Sequence, residues 1–184
     1  GGFLAQWMKN KTGLDIGRYA EGTEFTLDGT ASGKLDDLDV DASIKSDIGQ
    51  AAADVVISNA IDSRKSTGIS GKVRTEDLNI GKILNIDILG PVSLRTSLKA
   101  DLGNAGQPSE LRIDTLNVDR LHANGYDYSK AMAVGNISSN GFNGTIVCHD
   151  PNFNFMLNGA FALSSKTQNA KYQFVAHVGN ADLN

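Results

Sequence analysis

Three histidines, one cysteine and a run of aspartates are the side chains here that could do chemistry. Cys148-His149-Asp150 sets a thiol, an imidazole and a carboxylate side by side, the groups a nucleophilic site uses. Neighbouring side chains on a strand leave from opposite faces, so Cys148 and His149 do not readily pair. Cys148 shares its phase with Phe142 and Ile146 and reads as a small core residue. His122, His149 and His177 lie far apart with no Cys, Asp or Glu at ligand spacing, and read as ordinary histidines rather than metal ligands. Asp37, Asp39 and Asp41 alternate with Leu38 and Val40 and suggest a calcium strip. The calcium-loop template, however, wants Gly and Glu where Ala42 and Ile48 stand, so a solvated strand face accounts for them. Asp36 and Asp37 diverge as strand neighbours and make a poor carboxylate pair. Phosphate loops are absent: Gly125, Gly135, Gly141 and Gly144 read as turns or bulges, and Gly159 as a bulge or bend. The expectation is a protein without catalytic residues, metal or cofactor, and not an enzyme.

Composition narrows the class. A formal charge of −4, a pI near 5.3 and scattered Lys and Arg give no nucleic-acid surface. One cysteine excludes an internal disulfide framework, which suits the cytosol or a periplasm managed without disulfides. No apolar run reaches the roughly 18 to 20 residues needed to span a bilayer, and no signal-peptide pattern opens the chain. The chain starts abruptly at Gly1-Gly2 and stops at Asn184 within a strand-like pattern, so residues 1–184 read as one β-rich fragment of a longer repetitive protein.

Helix signals are few. Phe3, Leu4, Trp7 and Met8 fit one face of a short helix over Phe3 to Asn10, read as docking on one end of a sheet, and Gly81 to Asn85 fit a single turn. Nearly everything else alternates: Glu24 to Leu35, Leu38 to Ser46, Ala51 to Ser58, Gly68 to Ile80, Val92 to Leu102 and Leu111 to Leu121. The series continues with Tyr126 to Ile137, Gly141 to His149, Asn152 to Leu163 and Lys171 to Gly179. Turn signals such as Asn140-Gly141 and Asp150-Pro151-Asn152 separate the runs, so sequential antiparallel pairing is the default. A tripeptide of Leu, Asp or Asn, then Ile or Val recurs at residues 14–16, 38–40, 78–80 and 116–118, and suggests loose repeat units over residues 14–77 and 78–182.

The run from Asn152 to Leu163 carries Phe153, Phe155, Leu157, Phe161 and Leu163 on one face. At about 1.5 to 3 kcal/mol each, their burial is worth roughly 8 to 15 kcal/mol, as much as a whole domain's stability. That face needs a cover, and helices long enough to supply one are missing. A second sheet, the same sheet curling over, or an apolar ligand in a groove would each serve.

The stretch from Leu121 to Ser164 resembles a recurrent pattern in the AsmA-like and TamB-like (translocation and assembly module) proteins of Bacteroidetes. It has a Gly-Tyr-x-Tyr entry (Gly125, Tyr126, Tyr128), a strand ending near Asn136, an aromatic-Asn-Gly turn (Phe142, Asn143, Gly144), and the turn Asp150-Pro151-Asn152 before a long alternating strand. Ser70 to Leu84 and Tyr172 to Asn184 resemble the strand-then-short-helix unit of the same family. The likeness runs from about Thr67 onward. It implies a bridge-like lipid transfer protein, anchored at the inner membrane through segments outside this chain and extending across the periplasm. Its taco-like sheet would carry phospholipid or another acyl-chain lipid toward the outer membrane and serve envelope assembly, with the outer-membrane assembly machinery as a further partner.

The expected fold is therefore mainly β: an elongated, curved, groove-forming antiparallel sheet with one or two short helices. Its apolar lining is expected to include Val92, Leu94, Leu98, Leu102, Leu111, Ile113, Phe142, Ile146, Phe153, Phe155, Leu157, Phe161, Leu163, Tyr172, Phe174 and Val178. Lys99, Asp101, Asn152, Asn154, Lys171 and Gln173 are expected on the outer face. Two alternatives stay open: a closed sandwich or barrel acting as a cell-surface scaffold or glycan-binding module, and a groove that holds apolar client strands during outer-membrane assembly.

Overall fold

The computed structural model describes residues 24–34, 36–60, 65–103, 109–138, 141–162 and 171–181. They form one ten-stranded sheet in which spatial order equals chain order. The strands are β1 (Phe25–Lys34), β2 (Asp37–Ser46), β3 (Gly49–Ser58), β4 (Gly68–Asn79), β5 (Leu89–Asp101), β6 (Glu110–Ala123), β7 (Tyr126–Ser138), β8 (Gly141–His149), β9 (Phe153–Ala162) and β10 (Lys171–Ala181). Every pairing is antiparallel between sequence neighbours. Tight connections explain this order. Asn124 and Gly125, with φ of 50° and 80°, supply the two positive values that a two-residue hairpin needs between β6 and β7.

The one described helix, α1 (Ile80–Leu84), sits between β4 and β5 where a single turn was expected. The Asn79 side chain accepts from the Lys82 amide at 2.9 Å, and Asn85 closes the turn in the left-handed region with φ of 55°. The helix expected over Phe3 to Asn10 lies outside the described residues, as do Leu14-Asp15-Ile16, Leu163 and Asp182-Leu183-Asn184. The other three Leu-centred tripeptides fall in unlike places: the start of β2, the junction of β4 with α1, and the middle of β6.

The sheet is open and curved. Among the described residues β1 and β10 are unpaired edges, and no second layer faces either side. The closed sandwich and barrel are thereby set aside. Even so, Val92 and Cys148 are only 3% exposed. Val92 lies between Leu78 and Leu121, and Cys148 between Ala131 and Phe155, so same-face neighbours on adjacent strands flank both.

Two glycine readings need correction. Gly135 and Gly144 are neither turns nor bulges, and Gly159 is not a bulge, because Gly135 pairs with Gly144 and Gly144 with Gly159 in unbroken register across β7, β8 and β9. They form a row without side chains. A Cβ on Gly144 would lie 2.7 Å from the Gly135 Cα and 2.9 Å from the Phe142 ring, so the row gives the three backbones and that ring room to close on one another.

Candidate functional site

Register assigns each strand residue to a face. Leu38, Ile57, Ile69, Ala100, Leu111, Ile137 and Phe142 follow one another by direct pairing from β2 to β8, and Phe161 and Tyr172 continue the same row in β9 and β10. A second row runs through Val40, Val55, Gly71, Leu98, Ile113 and Gly135 to Gly144, Gly159 and Phe174. Others carry Val92 beside Leu78 and Leu121, Leu94 beside Thr75 and Val118, and Phe155 between Cys148 and Val178. All ten strands therefore turn their apolar set to the same face. Of the expected lining, Val92, Leu94, Leu98, Leu111, Ile113, Phe142, Ile146, Phe153, Phe155, Leu157, Phe161, Tyr172, Phe174 and Val178 hold register positions on it. Leu102 lies just past the end of β5, where its amide donates to the Thr67 carbonyl at 2.9 Å.

Two threonine hydroxyls on this face are tied to backbone carbonyls. Thr75 Oγ1 donates to the Val92 carbonyl at 3.0 Å and Thr96 Oγ1 to the Thr115 carbonyl at 2.9 Å. Cys148 Sγ lies 3.7 Å from the Ser129 carbonyl, and the Tyr126 hydroxyl donates to Asp150 at 2.7 Å. Such pairing spends polar groups locally and leaves carbon at the surface. Aromatics gather at one end: Tyr126 meets Tyr128 edge-on at 4.8 Å, Tyr128 meets Phe153 at 6.2 Å, and Phe153 meets Phe155 at 4.8 Å. The β1 to β4 end is lined by smaller groups such as Ala42, Ala51, Ala53 and Gly71. The edges leave large apolar groups open to solvent, Leu27 at 56% and Val178 at 61% exposed.

Asp150 is the strongest polar anchor and was legible in the sequence only as part of a turn. Its side chain is enclosed at 2% exposure. Oδ1 accepts from the Tyr126 hydroxyl and, at 3.0 Å, from the Asn152 amide, while Oδ2 accepts from the Ser129 amide at 2.9 Å and the Ser129 hydroxyl at 3.0 Å. Burial alone would push this carboxyl up. In a one-layer sheet that penalty is modest, and the four donors hold it down to about 2. The carboxylate in turn pushes the Tyr126 phenol up by accepting its hydrogen bond.

The reactive candidates do not converge. Cys148 is buried on the apolar face and His149 is exposed on the other. His122 Nδ1 lies 2.8 Å from Asp127 Oδ1, an exposed pair across the hairpin turn. Asp37, Asp39 and Asp41 are exposed on β2, and no group of three metal-ligating side chains occurs among the described residues. The polar face carries ion pairs, Arg95 to Asp119 at 2.9 Å and Arg112 to Asp114 at 2.8 Å. Arg120 pairs with Asp77, which also bonds Ser93, and these two partners in that order hold the Asp77 carboxyl below its ordinary value. One apolar patch interrupts the polar face: Met132, Val147 and Met156 pair in a row, with Val134 and Val175 nearby. The sequence does not mark it, because Val147, Met156 and Val175 are each a lone apolar group in an otherwise polar phase and the patch forms only across strands.

Comparison with known protein families, curated proteins and solved structures finds no match to this chain.

Proposed function

We propose that this chain is a non-enzymatic, periplasmic segment of an AsmA-like or TamB-like protein whose apolar face is a track for phospholipid acyl chains. One observation carries the reading. A single curved sheet keeps one continuous carbon-lined face over ten strands, turns the Thr75 and Thr96 hydroxyls onto its own backbone, and leaves that face without a protein cover among the described residues. Monomeric soluble proteins rarely expose a contiguous apolar surface of this kind.

Acyl chains fit such a track energetically. Each methylene kept from water is worth about 0.8 kcal/mol, so a chain moving from a bilayer to the groove exchanges one hydrocarbon environment for another at little net change. Transport of that sort needs no catalytic group, only a dry lining and an open slot for the head group. Inner-membrane anchoring, delivery toward the outer membrane and contact with its assembly machinery belong to the same proposal and rest on the family resemblance.

The test is organic extraction of the purified chain with mass spectrometry of the extract, paired with Phe155→Asp and Leu157→Asp. The expected result is co-purified phospholipid, and at least a tenfold loss of fluorescent phospholipid uptake in the variants. Unchanged uptake in variants with an intact far-ultraviolet β signature overturns the reading.

A further inference from the structure

An antiparallel pair in perfect register has one residue opposite one. The described sheet departs from this at six points, and all six break the same way. Glu76 and Asp77 of β4 stand opposite Ser93, as do Asp119 and Arg120 of β6 from the other side. Gly90 and Pro91 of β5 stand opposite His122. Asp114 and Thr115 of β6 stand opposite Ser97 on one neighbour and Val134 on the other, and Gly179 and Asn180 of β10 stand opposite Asn154. Ser93, His122, Ser97, Val134 and Asn154 all lie on the face away from the apolar lining. Every surplus residue therefore lengthens the polar face and none lengthens the apolar one.

A surplus residue on one side of a strand bends the strand toward the other side. On that rule each of the six shifts would bend its strand toward the lining. Because the strands run across the sheet's long direction, bending each along its length curls the cross-section into a groove. At the Ser93 double bulge the geometry is also pinned. Asp77, with φ of 47°, receives Arg120, while Ser93 Oγ accepts from the Asp77 amide at 3.0 Å and donates to its carboxylate at 3.1 Å.

We propose that these outward bulges set the cross-section of the groove, with Asp114 and the Asp77, Ser93 and Arg120 staple as its positioning residues. That the groove's occupant is an acyl lipid rests on the function proposed above; the geometric statement does not.

Deleting Asp114 tests it cleanly. Ile113, Thr115 and Leu116 then alternate without a break, so flanking residues keep their faces and their partners on β5 and β7. In a Cys148→Ser background, spin labels at exposed Asp87 and Glu110 report the distance between the two rims along β5, whose own length is unchanged. The expected result is a distance distribution shifted to longer values, and at least threefold weaker uptake of fluorescent phosphatidylethanolamine from vesicles. An unchanged or shorter distance in the folded variant overturns the proposal, even if both proteins take up lipid equally. A longer distance with no lipid uptake by either protein upholds it and defeats the lipid reading instead. If the deletion fails to fold, Ser93→Ala keeps the chain length and loosens the staple, and the distribution then extends to longer distances; a distribution identical to wild type overturns the proposal.

Discussion

Asp150→Asn isolates one anchor of the β8 to β9 turn. Of the four donors on the carboxylate, two are hydroxyls, which rotate to accept from an amide, and two are backbone amides, which do not. The fixed donors sit on different oxygens, Asn152 N on Oδ1 and Ser129 N on Oδ2. An asparagine presents one oxygen and one NH2, so either orientation leaves one backbone N–H facing another donor. An unsatisfied enclosed donor costs about 1 to 3 kcal/mol. The lowered carboxyl value gives a figure of the same size. A carboxyl held at about 2 rather than 3.8 contributes about 2 kcal/mol to stability near neutral pH. The sign follows from the lowered value: the contribution is fully present above about pH 4 and is lost as pH falls through about 2.

Each strand pairs only with its sequence neighbours, so the loss should stay near β7, β8 and β9 instead of spreading over the sheet. Hydrogen exchange at neutral pH should show amides of these strands exchanging about 30-fold faster in the variant, the rate equivalent of about 2 kcal/mol, with β2 to β4 unchanged. Urea unfolding of the two proteins should converge as pH drops from 4 toward 2. Equal exchange in β7 to β9, or a gap that persists at pH 2, would refute the reasoning.

Gly144→Ala should lower the thermal midpoint by several degrees, since its Cβ meets the Gly135 Cα and the Phe142 ring and overpacking of this kind costs about 1 to 3 kcal/mol; a calorimetric scan with no shift would show that the glycine row is not closely packed. The Cys148 thiol should react with a thiol-directed chromophore at least a hundredfold more slowly in the native chain than in urea, because it is 3% exposed on the apolar face; comparable rates would place it in solvent.

Strand periodicity made the fold legible almost residue by residue. Turn chemistry delimited the runs, and with short connections a meander follows from the chain alone. The shared apolar face was legible for the same reason. Phe142, Ile146, Leu157 and Phe155 share a phase within their strands, and pairing then assembles phases into a face. Besides the Met132, Val147 and Met156 patch, three features were not legible. Asp150 makes three of its four bonds to residues more than twenty positions earlier, and no periodic pattern marks such distant partners. The glycine row exists only once β7, β8 and β9 are in register. The bulges did leave a trace, because Ile113-Asp114-Thr115-Leu116 and Thr75-Glu76-Asp77-Leu78 each put two polar residues where strict alternation allows one.

That trace gives the alternation a second meaning. A strictly alternating strand specifies which face is apolar but not which way the sheet curves, and a flat apolar face of this size would be an aggregation surface. Two consecutive polar residues inside an apolar phase keep the lining continuous, since Ile113 and Leu116 both remain on it, and spend the extra length on the opposite side. Sidedness and curvature are thus written in the same short tetrapeptides. Two consecutive apolar residues between polar ones would bend the sheet the other way and open the face to water. The described strands place none of their surplus there.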